Sequence, residues 1–96
     1  MSNFKTKAEN LELINFQVGE PVTGLYNGSR IVETKNGESR LHKILIEGTF
    51  YEFWGCYMLD TNLEGEEGSE VRLTLKGEID REGKQPLKNF KIEIAE

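Results

Sequence analysis

Ninety-six residues, 36% of them hydrophobic and 30% charged, suit one globular domain with a modest core and are too few for two domains. A single cysteine, Cys56, rules out an internal disulfide, and with His42 the only histidine there are too few ligands for a zinc site. No stretch approaches the roughly 18 apolar residues of a membrane-spanning helix, and the formal charge of −5 opposes wholesale attraction to a phosphate backbone.

Residues 1 to 12 are polar, with Lys5, Lys7, Glu9 and Glu12 and little periodicity, and are expected to form a poorly ordered arm before a single domain over residues 13 to 96. The start, Met1-Ser2-Asn3-Phe4-Lys5, lacks the apolar core of a signal peptide, so a cytoplasmic location is expected. A short apolar alternation from Leu13 to Val18 is broken at Gly19-Glu20-Pro21. A long first strand is predicted from Val22 to Thr34, bent where Gly24 and Gly28 interrupt it. Asn36-Gly37 predicts a hairpin closed by a type I′ turn, in which both central residues take positive φ. The second strand follows over Ser39 to Glu47, and Glu47-Gly48 turns the chain into a third strand that ends at Gly55. Cys56 to Leu63 reads as two helical turns, with Leu59 and Leu63 four residues apart on one side. In a fourth strand Val71, Leu73, Leu75, Gly77 and Ile79 alternate with polar residues. Arg81-Glu82-Gly83-Lys84 offers a second hairpin turn, and Phe90, Ile92 and Ile94 alternate in a fifth strand. This order predicts an all-β fold, a five-stranded OB-fold-like Greek-key barrel with one short helix between strands three and four. An SH3-like barrel competes but gives the helix less weight.

Five of the nine aromatic residues, Phe50, Tyr51, Phe53, Trp54 and Tyr57, lie within eight positions around the third strand. Successive side chains in a strand point to opposite faces, so Phe50, Glu52 and Trp54 share one face and Tyr51 and Phe53 the other. An unpaired buried carboxylate is costly, which marks the Glu52 face as the expected solvent side and Phe50 with Trp54 as candidates for an exposed aromatic platform; the alternative is that both faces of the strand are covered and Trp54 belongs to the core. Such a platform binds flat groups.

Nothing in the chain points to catalysis. Cys56 has only His42 as a candidate base, without orienting partners, and reads as a small buried hydrophobe. Asp60, Glu64, Glu66, Glu67 and Glu70 lack the ligand spacing and glycine of a calcium loop. No enzyme activity, catalytic residue, metal or cofactor is expected. His42 shares a strand face with Ile44 and Ile46 and is expected to cap the core at its rim.

The succession Val22-Thr23-Gly24-Leu25-Tyr26-Asn27-Gly28, then Phe53-Trp54-Gly55 with Leu59-Asp60 following, then Gly68-Ser69-Glu70-Val71-Arg72-Leu73-Thr74-Leu75-Lys76-Gly77, resembles the small single-stranded DNA-binding OB proteins of bacteriophages. The resemblance spans roughly residues 20 to 95 and consists of glycine and aromatic placements. It implies a replication or recombination accessory that coats single strands without sequence preference.

Net charge does not bar that role, because the negative excess is local: no Lys or Arg lies between residues 44 and 71, where Asp60, Glu64, Glu66, Glu67 and Glu70 fall. In an OB-fold, strands two and three with the loops between strands one and two and strands four and five form the ligand groove. Lys35, Arg40, Lys43, Phe50, Trp54, Arg81 and Lys84 are therefore expected to converge there. Tyr26, after the bend at Gly24, would either stack on a base or close one end of the barrel. Stacking contributes about 1–3 kcal/mol per base and basic side chains follow the backbone.

The alternative function is an acidic protein-binding module, a phage-encoded inhibitor or adaptor, in which Asp60 to Glu70 steers a basic partner. If Ile44 and Ile46 face the core, Leu41 and Leu45 share the opposite face and are expected to be exposed, as suits a homodimer or a replication or host protein partner.

Overall fold

A computed structural model describes residues 11–96, except for the side chains of Arg81, Lys84 and Gln85. Of the arm expected over residues 1 to 12, positions 1–10 lie outside the described residues. The elements run β1 (Glu12–Leu13), β2 (Pro21–Thr34), β3 (Gly37–Ile46), β4 (Thr49–Trp54), α1 (Tyr57–Asn62), β5 (Glu70–Arg81) and β6 (Lys84–Ile94). They form one six-stranded mixed sheet in the order β1-β4-β3-β2-β5-β6, antiparallel throughout except for the parallel pair β1–β4. The fold is all-β, with one short helix among the described residues. Two parts of the expectation need correction. Six strands pair where five were expected, because Glu12 and Leu13 align with Tyr51 and Glu52 and Ile14 N–H donates to the Glu52 carbonyl at 2.8 Å. Among the described residues the sheet is also not closed, since its outermost strands, β1 and β6, are not paired with each other.

The long strand β2 makes the sheet curl. Its first half pairs with β5, from Pro21↔Thr74 to Leu25↔Glu70, and its second half with β3, from Leu25↔Leu45 to Thr34↔Gly37. Only near Leu25 does it serve both neighbours. The crossing brings backbones close, so that a Cβ on Gly24 would sit 2.5 Å from the Leu45 carbonyl oxygen. A bulge follows between Tyr26 and Ser29, where Gly28 takes φ of 93°. The bend predicted from Gly24 and Gly28 is therefore present. The hairpin at Asn36-Gly37 forms too, but only Gly37 has positive φ, and Thr34 Oγ1 donates to the Gly37 carbonyl at 2.8 Å. Two successive positive φ angles occur instead at Glu47 (48°) and Gly48 (81°), in the turn between β3 and β4.

The inner face carries Tyr26, Ile44, Phe53, Val71, Leu73 and Phe90, and Leu59 and Leu63 from the helical segment complete the cluster. The spacing of those two leucines works as expected: Leu59 lies in α1, Leu63 caps it, and both are buried. Phe16 spans the unpaired side. Its ring meets Phe53 of β4 edge-on at 5.5 Å and Phe90 of β6 at 5.0 Å. Among the described residues, no helix is long and apolar enough to cross a membrane.

Candidate nucleic-acid interface

The outer face of β3 and β4 holds the aromatic platform. Phe50 is 37% exposed and Trp54 45% exposed, at two positions of one strand with Glu52 between them. Opposite them on β3 the register places Leu45 against Phe50, Lys43 against Glu52 and Leu41 against Trp54. The Lys43 ammonium lies 4.4 Å from the centre of the Phe50 ring, a cation–π arrangement that sets a positive charge beside a stacking surface.

Glu52 departs from expectation. It shares the face of Phe50 and Trp54, yet it is buried, and Arg30 pairs with it, placing Nη2 3.0 Å from one carboxylate oxygen and 3.3 Å from the other. The guanidinium reaches from β2 across β3 to β4, removing the penalty that an unpaired carboxylate would incur. Around the pair lies a cavity of about 440 Å³ whose lining includes Leu11, Asn27, Ser29, Leu41 and Lys43. Sequence reasoning missed Arg30 because the bulge between Tyr26 and Ser29 sets which way it points, and a bulge leaves no parity signal beyond Gly28 itself. Leu41, expected to be exposed, is buried, and Leu45 is half-buried. Leu41 sits between Arg30 and Trp54 in the register, which gives it cover on both sides.

The other predicted residues do not all converge. Lys43, Phe50 and Trp54 come together, while Lys35 stands exposed in the β2–β3 turn. Arg40 is an odd number of residues from Lys43 and lies on the opposite face, half-buried, with Nη1 donating to Ser29 Oγ at 2.8 Å. Arg81 and Lys84 pair across the tip of the β5–β6 hairpin, and their side chains lie outside what the structure describes. Of the two roles expected for Tyr26, stacking on a base is ruled out by its burial, and the residue belongs to the core. It is 1% exposed, and its hydroxyl is 2.7 Å from His42 Nδ1.

That bond belongs to a second polar arrangement, on the inner side. His42 is buried at the rim with its ring stacked on Phe53, and its Nε2 lies 2.7 Å from Asp60 Oδ1. A neutral imidazole satisfies all three groups: Nε2–H donates to Asp60 and Nδ1 accepts from the Tyr26 hydroxyl. Burial lowers the His42 pKa against the raising effect of Asp60, and burial raises that of Tyr26. A Cβ on Gly55 would collide with Asp60 Oδ1 and come 2.8 Å from His42 Nε2, so a glycine is needed beside this chain. Arg40, Thr61, Glu64 and Glu67 line a cavity of about 300 Å³ next to it. With both ring nitrogens engaged, His42 serves here as a structural link.

No family model, curated protein or solved structure matches the chain. Among the described residues no group of three or more His, Cys, Asp or Glu gathers to hold a metal.

Proposed function

We propose that this protein binds single-stranded nucleic acid, single-stranded DNA in the first instance, through aromatic stacking on the outer face of β3 and β4 with a small basic contribution. The observation that carries the reading is the exposure of Phe50 and Trp54 on one face with the Lys43 ammonium over the Phe50 ring. An aromatic pair with an adjacent cation suits a base followed by its phosphate. The chain order supports an OB-type reading of the fold: β2 is long, bent and shared between β3 and β5, and α1 lies between β4 and β5. On that reading β1 is an addition to the five-stranded plan, and Phe16 takes the place of a closing strand pair. A non-enzymatic role in phage replication or recombination, in the host cytoplasm, belongs to the same proposal and draws on the resemblance of residues 20 to 95.

Partly exposed Leu25 and Leu13, at 45% and 50%, favour a second reading in which the sheet docks a protein partner or a second copy. Trp54 is the only tryptophan, so its fluorescence reports on this face alone. Titration with oligothymidine should quench Trp54 in parallel with a rise in anisotropy of the labelled strand. Trp54→Ala should weaken binding by about 1–3 kcal/mol. Unchanged emission together with unchanged anisotropy would reject the nucleic-acid reading and favour the protein partner.

A further inference from the structure

Arg30 is held on one side only. Its Nη2 lies 3.0 and 3.3 Å from the two Glu52 oxygens, and among the described residues its Nε–H and Nη1 donors have no hydrogen-bond partner. Exposure divides in the same sense: the Arg30 side chain is 61% exposed and that of Glu52 10%. The carboxylate therefore fixes the guanidinium from the sheet side and leaves its remaining donors accessible. Arg30 faces Leu41 in the β2–β3 register, with Lys43 two residues further along β3, so the two cations are diagonal neighbours on the outer face. Both line the cavity of about 440 Å³, where Asn27 and Ser29 are neutral polar neighbours and Glu52 is the one carboxylate, which leaves one positive charge in excess. Phe50 and Trp54 stand outside that lining, and Lys43 joins the cavity to the platform through its contact with the Phe50 ring.

We propose that Arg30, positioned by Glu52, contacts a backbone phosphate of the bound strand in this cavity while the bases stack outside it on Phe50 and Trp54. This rests on the single-strand reading above and adds the residue that takes the phosphate. A guanidinium is planar and carries donors on more than one edge, so one edge can bind a carboxylate while another binds a phosphate oxygen. A lysine at the same position has one compact ammonium and no second edge. Because Glu52 already restricts the long Arg30 side chain, less rotamer freedom is lost when the phosphate arrives. A stacked base carries its phosphate beside the ring, which agrees with a cavity that borders the platform without including the aromatic side chains.

The test removes the pair together. Arg30→Gln with Glu52→Gln leaves the net charge at −5 and orphans no buried carboxylate, so altered binding cannot be assigned to the field of the whole protein. Labelled oligothymidine, followed by anisotropy across a salt series, should bind the double variant about tenfold more weakly at low salt. The slope of log K on log salt should become shallower by about 0.7, with Trp54 still quenched. Unchanged affinity and slope in the folded double variant would make Arg30 a brace for Glu52 alone, overturning the proposal and leaving single-strand binding standing. Should the double variant not fold, the Arg30 Nε–H resonance of the isotope-labelled unmodified protein decides. It should move on addition of oligothymidine and stay in place with a methylphosphonate strand, whose linkages carry no charge. A resonance that ignores oligothymidine, or answers equally to the uncharged strand or to inorganic phosphate alone, overturns the strand contact. Failure to bind any strand removes both this contact and the reading it rests on.

Discussion

His42 shows what a single residue records about its surroundings. Its position in step with Ile44 and Ile46 identifies it as a core-rim residue, and it is buried there against Phe53. Its partners arrive from elsewhere: Tyr26 from β2 and Asp60 from α1, each 2.7 Å from a ring nitrogen. The neutral form satisfies both bonds, and burial holds the pKa below the ordinary value of 6.5 although Asp60 pulls the other way; Arg40 adds to the lowering. In the unfolded chain His42 takes up its proton as the pH falls through about 6.5, while the folded protein resists until a lower pH. The unfolded state then binds more protons, so stability is complete above this window and declines as the pH falls through it. Thermal melts should give a constant Tm between about pH 7 and 9 and a falling one as the pH drops below about 6.5, and His42→Gln should flatten that slope. Glu93, whose pKa the Arg72 guanidinium pulls below 4.5, contributes in a lower window and leaves the histidine slope separable. A wild-type Tm that does not change over the upper window would mean that His42 titrates normally.

At the scale of elements, most of the strand order was legible because it depends on local signals. Alternation marked β5, Gly-containing turns marked the hairpins, and the Leu59–Leu63 spacing marked the helical segment. The hidden parts depend on distant pairings. Two residues suffice for β1, too few for any periodicity, and the pairing exists because β4 has a free edge on that side. For the site, parity within β4 correctly put Phe50, Glu52 and Trp54 on one face, but parity within one strand could not reveal Arg30 on another. The same limit applies to Phe16, which reads as part of a short apolar run and proves to bridge β4 and β6 through Phe53 and Phe90. Without a β1–β6 pairing, this ring adds a direct link between the two sides to the one that Leu59 and Leu63 make through the core. Phe16→Ala should cost about 2–3 kcal/mol in urea unfolding, less than full burial of a phenylalanine would give because Phe16 is half-buried. Val18→Ala, two residues on and 65% exposed, should cost under about 0.5 kcal/mol. Equal effects of the two would show that the β4 and β6 sides are held together by α1 and the rest of the core.

For the whole molecule, the decisive property is how charge is distributed across the sheet, since the total of −5 is unfavourable for a polyanion ligand. Asp60, Glu64 and Glu67 line the inner-side cavity with Tyr26, Arg40 and His42, whereas Lys43 accompanies Phe50 and Trp54 on the outer face of the same strands. A strand lying on the outer face would therefore be shielded by the sheet from part of the acidic surface. Among the described residues few cations are available to it: Lys43 directly, Arg30 with its partly exposed side chain, and Lys35 from the neighbouring turn. If about three phosphates are neutralised, log K should fall with log salt with a slope near −2, because each phosphate on a single strand contributes about −0.7. Lys43→Glu should lower affinity at low salt and reduce that slope by about 0.7. Glu64→Gln with Glu67→Gln should leave the slope unchanged, since those groups line the opposite face. A slope steeper than about −5 would require more cations than the described residues of this face offer and would move the binding surface elsewhere. Binding that is nearly indifferent to salt, with Trp54 still quenched, would assign almost all of the affinity to stacking.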